Sequence, residues 1–278
     1  MGSSYFYLEF LIAWLTLLQR SGYKKPAIFA LEYTLVPDQS YPVQLQEAIS
    51  AYKNICVNHD PARIVVSGDS AGATLILSLL LHISNDNKSD YDFGSANKWR
   101  MTVPAMAVLI SPWVTLVSSQ DKNTVSDYLD ADSLHLYAKQ YAGSKISVHD
   151  PLISPGNCKD VDWWRGACPE KGFYFCYGAE EVFAPEIRDL LSMLGCVEGL
   201  EDLVESREEK GGIHAWPVAA LFLSSKLSST MDRQIVSSRV KHVSTQSIPA
   251  DYDPLATKDE RQKGLKSIVG RIRERVSI

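Results

Sequence analysis

The stretch RIVVSGDSAGATLILSLLL, Arg63 to Leu81, decides the fold. Up to Gly68 it is apolar and β-branched, without the polar alternation of a half-exposed strand, so it predicts a strand covered on both faces. From Ala71 the apolar residues recur at helical spacing as far as Ile83. Between the two lies Gly68-Asp69-Ser70-Ala71-Gly72, a G-x-S-x-G turn from strand to helix. A turn this tight strains the serine and tolerates only small neighbours, here Gly68 and Gly72. The strain lifts the Ser70 hydroxyl above the strand ends. The helix N-terminus then aims its free N–H groups, that of Ala71 first, at any negative oxygen forming there.

The same alternation extends outward from this turn. AIFALEY (Ala27–Tyr33) reads as a buried strand, followed by a helix over VQLQEAISAYKNI. AMAVLISPW (Ala105–Trp113), GFYFCYG (Gly172–Gly178) and the shorter LVESRE (Leu203–Glu208) read as further strands, with a helix over PEIRDLLSML before the last. Strands alternating with helices define an α/β fold, a mostly parallel sheet flanked by helices. Residues 118–169 are less regular: DADSLHLYAKQYAG predicts a helix and DVDWWRGAC a loop. That excursion either shapes a pocket or is a surface insertion.

The chain of 278 residues is read as one domain. A net charge of −5 and the lack of any recognition motif speak against nucleic acid as a partner. Five scattered cysteines lack metal-ligand spacing and read as reduced residues of an intracellular protein, so neither metal nor disulfides are expected. YFYLEFLIAWLTLL near the N-terminus is too short to span a bilayer and carries Glu9. It has no basic flank or cleavage site, so it is read as a helix burying Leu8, Leu11, Ile12, Leu15 and Leu18, and the protein as cytoplasmic. The Ser-rich residues 225–257 predict an irregular insertion. Residues 258–278 predict a terminal helix with Leu265, Ile268, Val269, Ile272 and Val276 on its docked face.

A serine hydroxyl needs a base to become a nucleophile. Of six histidines, His214 in EKGGIHAWP follows the last strand, on a glycine-hinged loop suited to returning over the sheet. His59 and His82 read as structural, and His135, His149 and His242 bear no relation to the strand ends. An acid that orients the imidazole should come between Ser and His in the chain, after a strand. FYFCYGAEEVFAPE supplies Glu180 and Glu181, of which only one can face the histidine.

GDSAG, together with Tyr33, Leu35, Pro37, Tyr41 and Pro42 of EYTLVPDQSYPVQLQEA, resembles the hormone-sensitive-lipase-like branch of the α/β-hydrolases. The resemblance runs from the N-terminus to about Trp216 and resumes in the final helix. It implies a serine esterase or lipase acting on small acyl esters without metal or organic cofactor, and makes Glu181 the counterpart of the family's acid. It also implies an H-G-G-G oxyanion loop on an earlier strand, and no such motif occurs in this chain. The family places that loop a little before the counterpart of the first residues here, so the expectation is a chain lacking the first strands. The strand carrying the loop lies, in the family, between the counterparts of Ala27–Tyr33 and Arg63–Gly68. Its loss leaves a gap, or forces those two strands to pair, and exposes a sheet edge open to self-association. The expected function is an ester hydrolase using Ser70, Glu181 and His214, the alternative being a truncated, catalytically impaired hydrolase-derived protein or a ligand-binding module lacking the H-G-G-G loop.

Overall fold

The computed structural model describes residues 4–88, 101–227 and 261–276. Four parallel strands, β1 (Val65–Asp69), β2 (Met106–Ile110), β3 (Phe173–Gly178) and β4 (Val204–Glu209), pair in the order β1-β2-β3-β4. Sequence order and spatial order coincide because helices return the chain between neighbouring strands. Between the strands run α3 (Ala71–Lys88), α4 (Ala131–Ala142), α5 (Val161–Ala167) and α6 (Ala184–Gly195); α1 (Ser4–Arg20) and α2 (Val43–Asn58) precede β1, and α7 (Trp216–Leu227) and α8 (Lys263–Arg275) follow β4.

The pleat divides the sheet's side chains between two cores. Ala107, Leu109, Phe173 and Phe175 face α3, α4, α5 and α6, whereas Met106, Val108, Ile110, Tyr174 and Cys176 face α1, α7 and α8. All of β2 and β3 is buried, which is why those segments read as unbroken apolar runs. The docked face of α8 is the expected one. Leu265, Ile268, Val269 and Ile272 are buried, each contributing about 1.5–3 kcal/mol against leaving it in water.

Three local expectations are corrected. Ala27–Tyr33 forms no strand and joins neither β1 nor any other strand among the described residues. Its apolar residues therefore reach solvent, Phe29 being 63% exposed. Cavities of about 150 Å³, between the segment and Leu11, Ile12 and Leu15 of α1, and about 430 Å³, against α2, flank it. In α1 the buried face is Phe10, Trp14 and Leu17, while Leu8 and Ile12 are exposed. The helix is apolar nearly all round, and its bulky aromatics win the core. DVDWWRGAC, expected as a loop, contains α5: Asp160 caps it by accepting from the Trp163 N–H at 2.8 Å, and Trp164 is wholly buried. Residues 225–257 fall almost wholly outside the described residues. No helix among the described residues is long and apolar enough to cross a membrane.

Candidate active site

In a parallel sheet every strand delivers its C-terminal end to the same edge, and there the backbone is most strained. Among the described residues only Ser70, Ser111 and Ala215 are non-glycine residues with positive φ, at 53°, 44° and 52°. Ser70 follows β1, Ser111 follows β2 and Ala215 follows His214. Left-handed backbone is costly for residues with a Cβ and gathers at functional sites.

Ser70 occupies the turn from β1 into α3, and its N–H donates to the Ile110 carbonyl at 2.9 Å. The turn is closed so tightly that a Cβ on Gly68 would lie 2.4 Å from the Gly72 carbonyl carbon, so glycine is obligatory there. Asp69, inside the motif, is half-buried and accepts from the Tyr7 hydroxyl of α1 at 2.8 Å.

The acid and the histidine arrive on loops that touch backbone to backbone. A Cβ on Gly178 would stand 2.2 Å from the Gly212 carbonyl oxygen, and the Glu180 N–H donates to that oxygen at 3.1 Å. Of the two adjacent glutamates, Glu181 points inward and is 2% exposed, whereas Glu180 faces solvent and bonds to Ser126. Glu181 Oε2 accepts from the Ser111 hydroxyl at 2.6 Å and from the Gly178 N–H at 3.0 Å. Burial pushes its carboxyl up to about 8, with those two hydrogen bonds pulling the other way. His214 is buried between the edges of Phe183, at 5.1 Å, and Tyr128, at 5.9 Å. Its loss of solvent pulls the imidazole down to about 3, so it is unprotonated across the physiological range.

Glu181 Oε1 and His214 Nδ1 are both buried, and neither has a hydrogen-bond partner among the described residues. One is an acceptor and the other the complementary donor; each unsatisfied atom costs about 1–3 kcal/mol. Catalytic hydrogen bonds are often long in unliganded proteins and tighten with substrate.

Two bridges that no sequence feature announced tie the acid loop to the histidine loop. The Ser111 hydroxyl donates to Glu181 and accepts from the Ala215 N–H at 2.9 Å. Asp127, buried in the 118–169 excursion, accepts from the Val182 N–H at 2.9 Å and the His214 N–H at 3.1 Å. Asp127→Asn turns a donor toward one of those N–H groups, so it is expected to behave no better than Asp127→Ala. Either should leave buried donors unpaired at roughly 1–3 kcal/mol each, lowering the melting temperature by roughly 2–4 °C per kcal/mol. Thermal melts of both variants check this; a benign Asn would contradict it.

Trp113 stacks on Phe183 at 5.6 Å and 11°, which makes it packing beneath the acid loop. His135 bonds to Asp121 at 3.0 Å, His82 lies within α3, His59 closes α2, and His242 lies outside the described residues. No cluster of metal-ligating side chains occurs among the described residues.

Comparison with known proteins assigns the architecture. The sequence profile of the α/β-hydrolase fold matches residues 21–218, and the chain belongs to that family. Solved structures of hormone-sensitive-lipase-like enzymes share this fold. A Schizosaccharomyces pombe protein provisionally named as the steryl acetyl hydrolase mug81 is 28% identical over 200 residues, covering 69% of this chain and 49% of its own. The chain thus spans about half the length of that relative. Among solved structures, carboxyl esterase 2 of the mycorrhizal fungus Tuber melanosporum superposes with a TM-score of 0.68 at 18% identity, covering 100% of this chain and 75% of its own. A hormone-sensitive lipase from a metagenome library gives 0.61 at 20% identity, covering 88% and 66%.

Proposed function

We propose that this chain is a serine carboxylic-ester hydrolase working through an acyl-enzyme on Ser70. The observation that carries the reading is the strained Ser70 at the strand-to-helix turn, φ 53°, whose N–H donates to Ile110, the neighbour of the Ser111 that bridges Glu181 and the residue after His214. Ser70 Oγ attacks the ester carbonyl carbon while His214 Nε2 takes its proton, and the carbonyl electron pair moves to oxygen. Collapse breaks the ester C–O bond, and His214 returns the proton to the departing alkoxide. Water then repeats the sequence against the acyl-serine. Glu181 orients the imidazole and offsets its transient positive charge. The base step needs an unprotonated imidazole, and burial keeps His214 unprotonated.

The name of the fission-yeast relative makes an acetyl ester of a hydrophobic alcohol the first substrate to try. The reading itself is tested without guessing a substrate. The folded chain and its Ser70→Ala variant are incubated with a fluorophosphonate probe, which reacts only with an activated serine. Labelling of the parent and none of the variant is expected. An unlabelled, folded parent would sink the esterase reading in favour of a hydrolase-derived binding module.

A further inference from the structure

The two carboxyl oxygens of Glu181 stand in different surroundings. Oε2 accepts from the Ser111 hydroxyl at 2.6 Å and from the Gly178 N–H at 3.0 Å, which fills both of its lone pairs. Oε1 is buried without a partner among the described residues, and so is His214 Nδ1. The Ser111 hydroxyl has one proton to give, and it goes to Oε2; its oxygen accepts from the Ala215 N–H at 2.9 Å. Ser111 is wholly buried, and its own N–H donates to the Cys176 carbonyl of β3 at 2.8 Å. Ser111 and Ala215 both hold left-handed backbone, at φ 44° and 52°. Strain of this kind persists only where the surroundings impose it.

We propose that Ser111 is the positioning residue of the acid: its hydroxyl occupies Glu181 Oε2, turns Oε1 toward His214 Nδ1, and through the Ala215 N–H ties the histidine loop to the same hydroxyl. The inference rests on the esterase reading. With both lone pairs of Oε2 filled, the proton of the acid can reside only on Oε1. An ionised Oε1 accepts Nδ1–H and leaves Nε2 free for the Ser70 proton. A protonated Oε1 donates to Nδ1 and moves the imidazole proton onto Nε2. One oxygen thus decides the tautomer. Burial raises the Glu181 carboxyl, and the Ser111 hydroxyl opposes that rise by favouring the charged form. The Asp127 carboxylate, from the excursion, adds to the rise, and the Arg188 guanidinium of α6 opposes it. Burial holds the protons on Tyr128, Tyr177 and Cys176, and keeps His214 unprotonated. The Ser111 hydroxyl bonds to none of these groups.

Ser111→Ala keeps the Cβ and removes only the hydroxyl. Fluorophosphonate labelling of Ser70 is followed from pH 6 to pH 10.5 in parent and variant, beside kcat and KM for p-nitrophenyl acetate at pH 7.5. The midpoint of the labelling rise, near 8 in the parent, should move up by roughly 1–2 pH units, the loss of one hydrogen bond to a charged group. At pH 7.5 kcat should fall roughly 10–10²-fold for the same reason, with KM within about threefold of the parent. A serine that serves packing alone would lower the melting temperature and the rate without moving the midpoint. A fixed midpoint would therefore overturn the inference and leave the esterase reading intact. A folded parent that is not labelled would overturn both. Should Ser111→Ala not fold, Ser111→Gly relieves the left-handed strain and lacks the same hydroxyl. The same upward shift is expected there, and a fixed midpoint would again count against the proposal.

Discussion

His214→Ala is expected to reduce turnover of p-nitrophenyl acetate by roughly 10⁴–10⁶-fold, the range seen when a triad base is lost, with little change in KM. The size follows from what remains. Ser70 keeps its strained position and the Ala71 N–H, so some stabilisation of the transition state persists, but nothing is left to take the serine proton. The parent should behave unlike an enzyme limited by an ordinary histidine. Burial holds His214 near 3, so the imidazole is already neutral at pH 5 and contributes no fall in labelling rate near pH 6.5. The depressed value also sets a stability window. The unfolded chain binds a proton at this histidine below about 6.5 that the folded chain refuses until about 3. Its stabilising contribution is therefore complete above 6.5 and drains away as pH falls toward 3. The alanine variant should lose less melting temperature than the parent between pH 7 and pH 4. An equal loss in both would contradict the assignment.

The fold was legible because buried parallel strands write themselves as unbroken apolar runs. Val65–Asp69, Met106–Ile110 and Phe173–Gly178 are read from the sequence almost at their observed bounds. Ala27–Tyr33 carries the same local signal and is not a strand. A strand exists only with a hydrogen-bonding neighbour, and composition cannot report whether the neighbour is there. The buried face of α1 is not legible in the sequence for a related reason. A helix apolar on nearly every side has no period to follow, and the choice fell to Phe10 and Trp14 meeting the sheet. In α5 the usable sign was Asp160, three residues before Trp163, whose N–H it caps.

The site divides in the same way. Ser70 and the two candidate acids lie where chain order and strand ends place them, so motif reasoning reaches them; the choice between Glu180 and Glu181 depends on which side chain turns inward. Asp127 and Ser111 could not be found locally. Asp127 is one of several acidic residues in a Ser- and Asp-rich loop, and its role exists only because Val182 and His214 arrive there from two other loops. Ser111 precedes a proline at a strand end, an ordinary place for serine, until the fold sets it between Glu181 and Ala215.

Glu181→Gln is expected to cost roughly 10⁴-fold in turnover, comparable to amide substitution of a triad acid elsewhere, although the side chain keeps its shape. The reason is the tautomer. A carboxylate accepts from His214 Nδ1–H and leaves Nε2 free to take the Ser70 proton, whereas an amide N–H donating to Nδ1 moves the imidazole proton onto Nε2. A protonated Glu181 fails for the same reason. With the carboxyl held up to about 8 by burial, the parent's labelling rate should climb as pH rises through that value and level off above it. The glutamine variant should be low and flat across the same range. Stability runs the opposite way. The folded chain keeps the Glu181 proton that the unfolded chain releases near 4.3, so the contribution is complete below that pH and is lost as pH rises through about 8. The catalytically useful, ionised form is thus the less stable one. Thermal melts at pH 6 and pH 9.5 should show the parent losing more than Glu181→Gln. An activity loss without this reversed stability profile would mean that Glu181 titrates elsewhere, leaving the acid's role to be sought at Asp127.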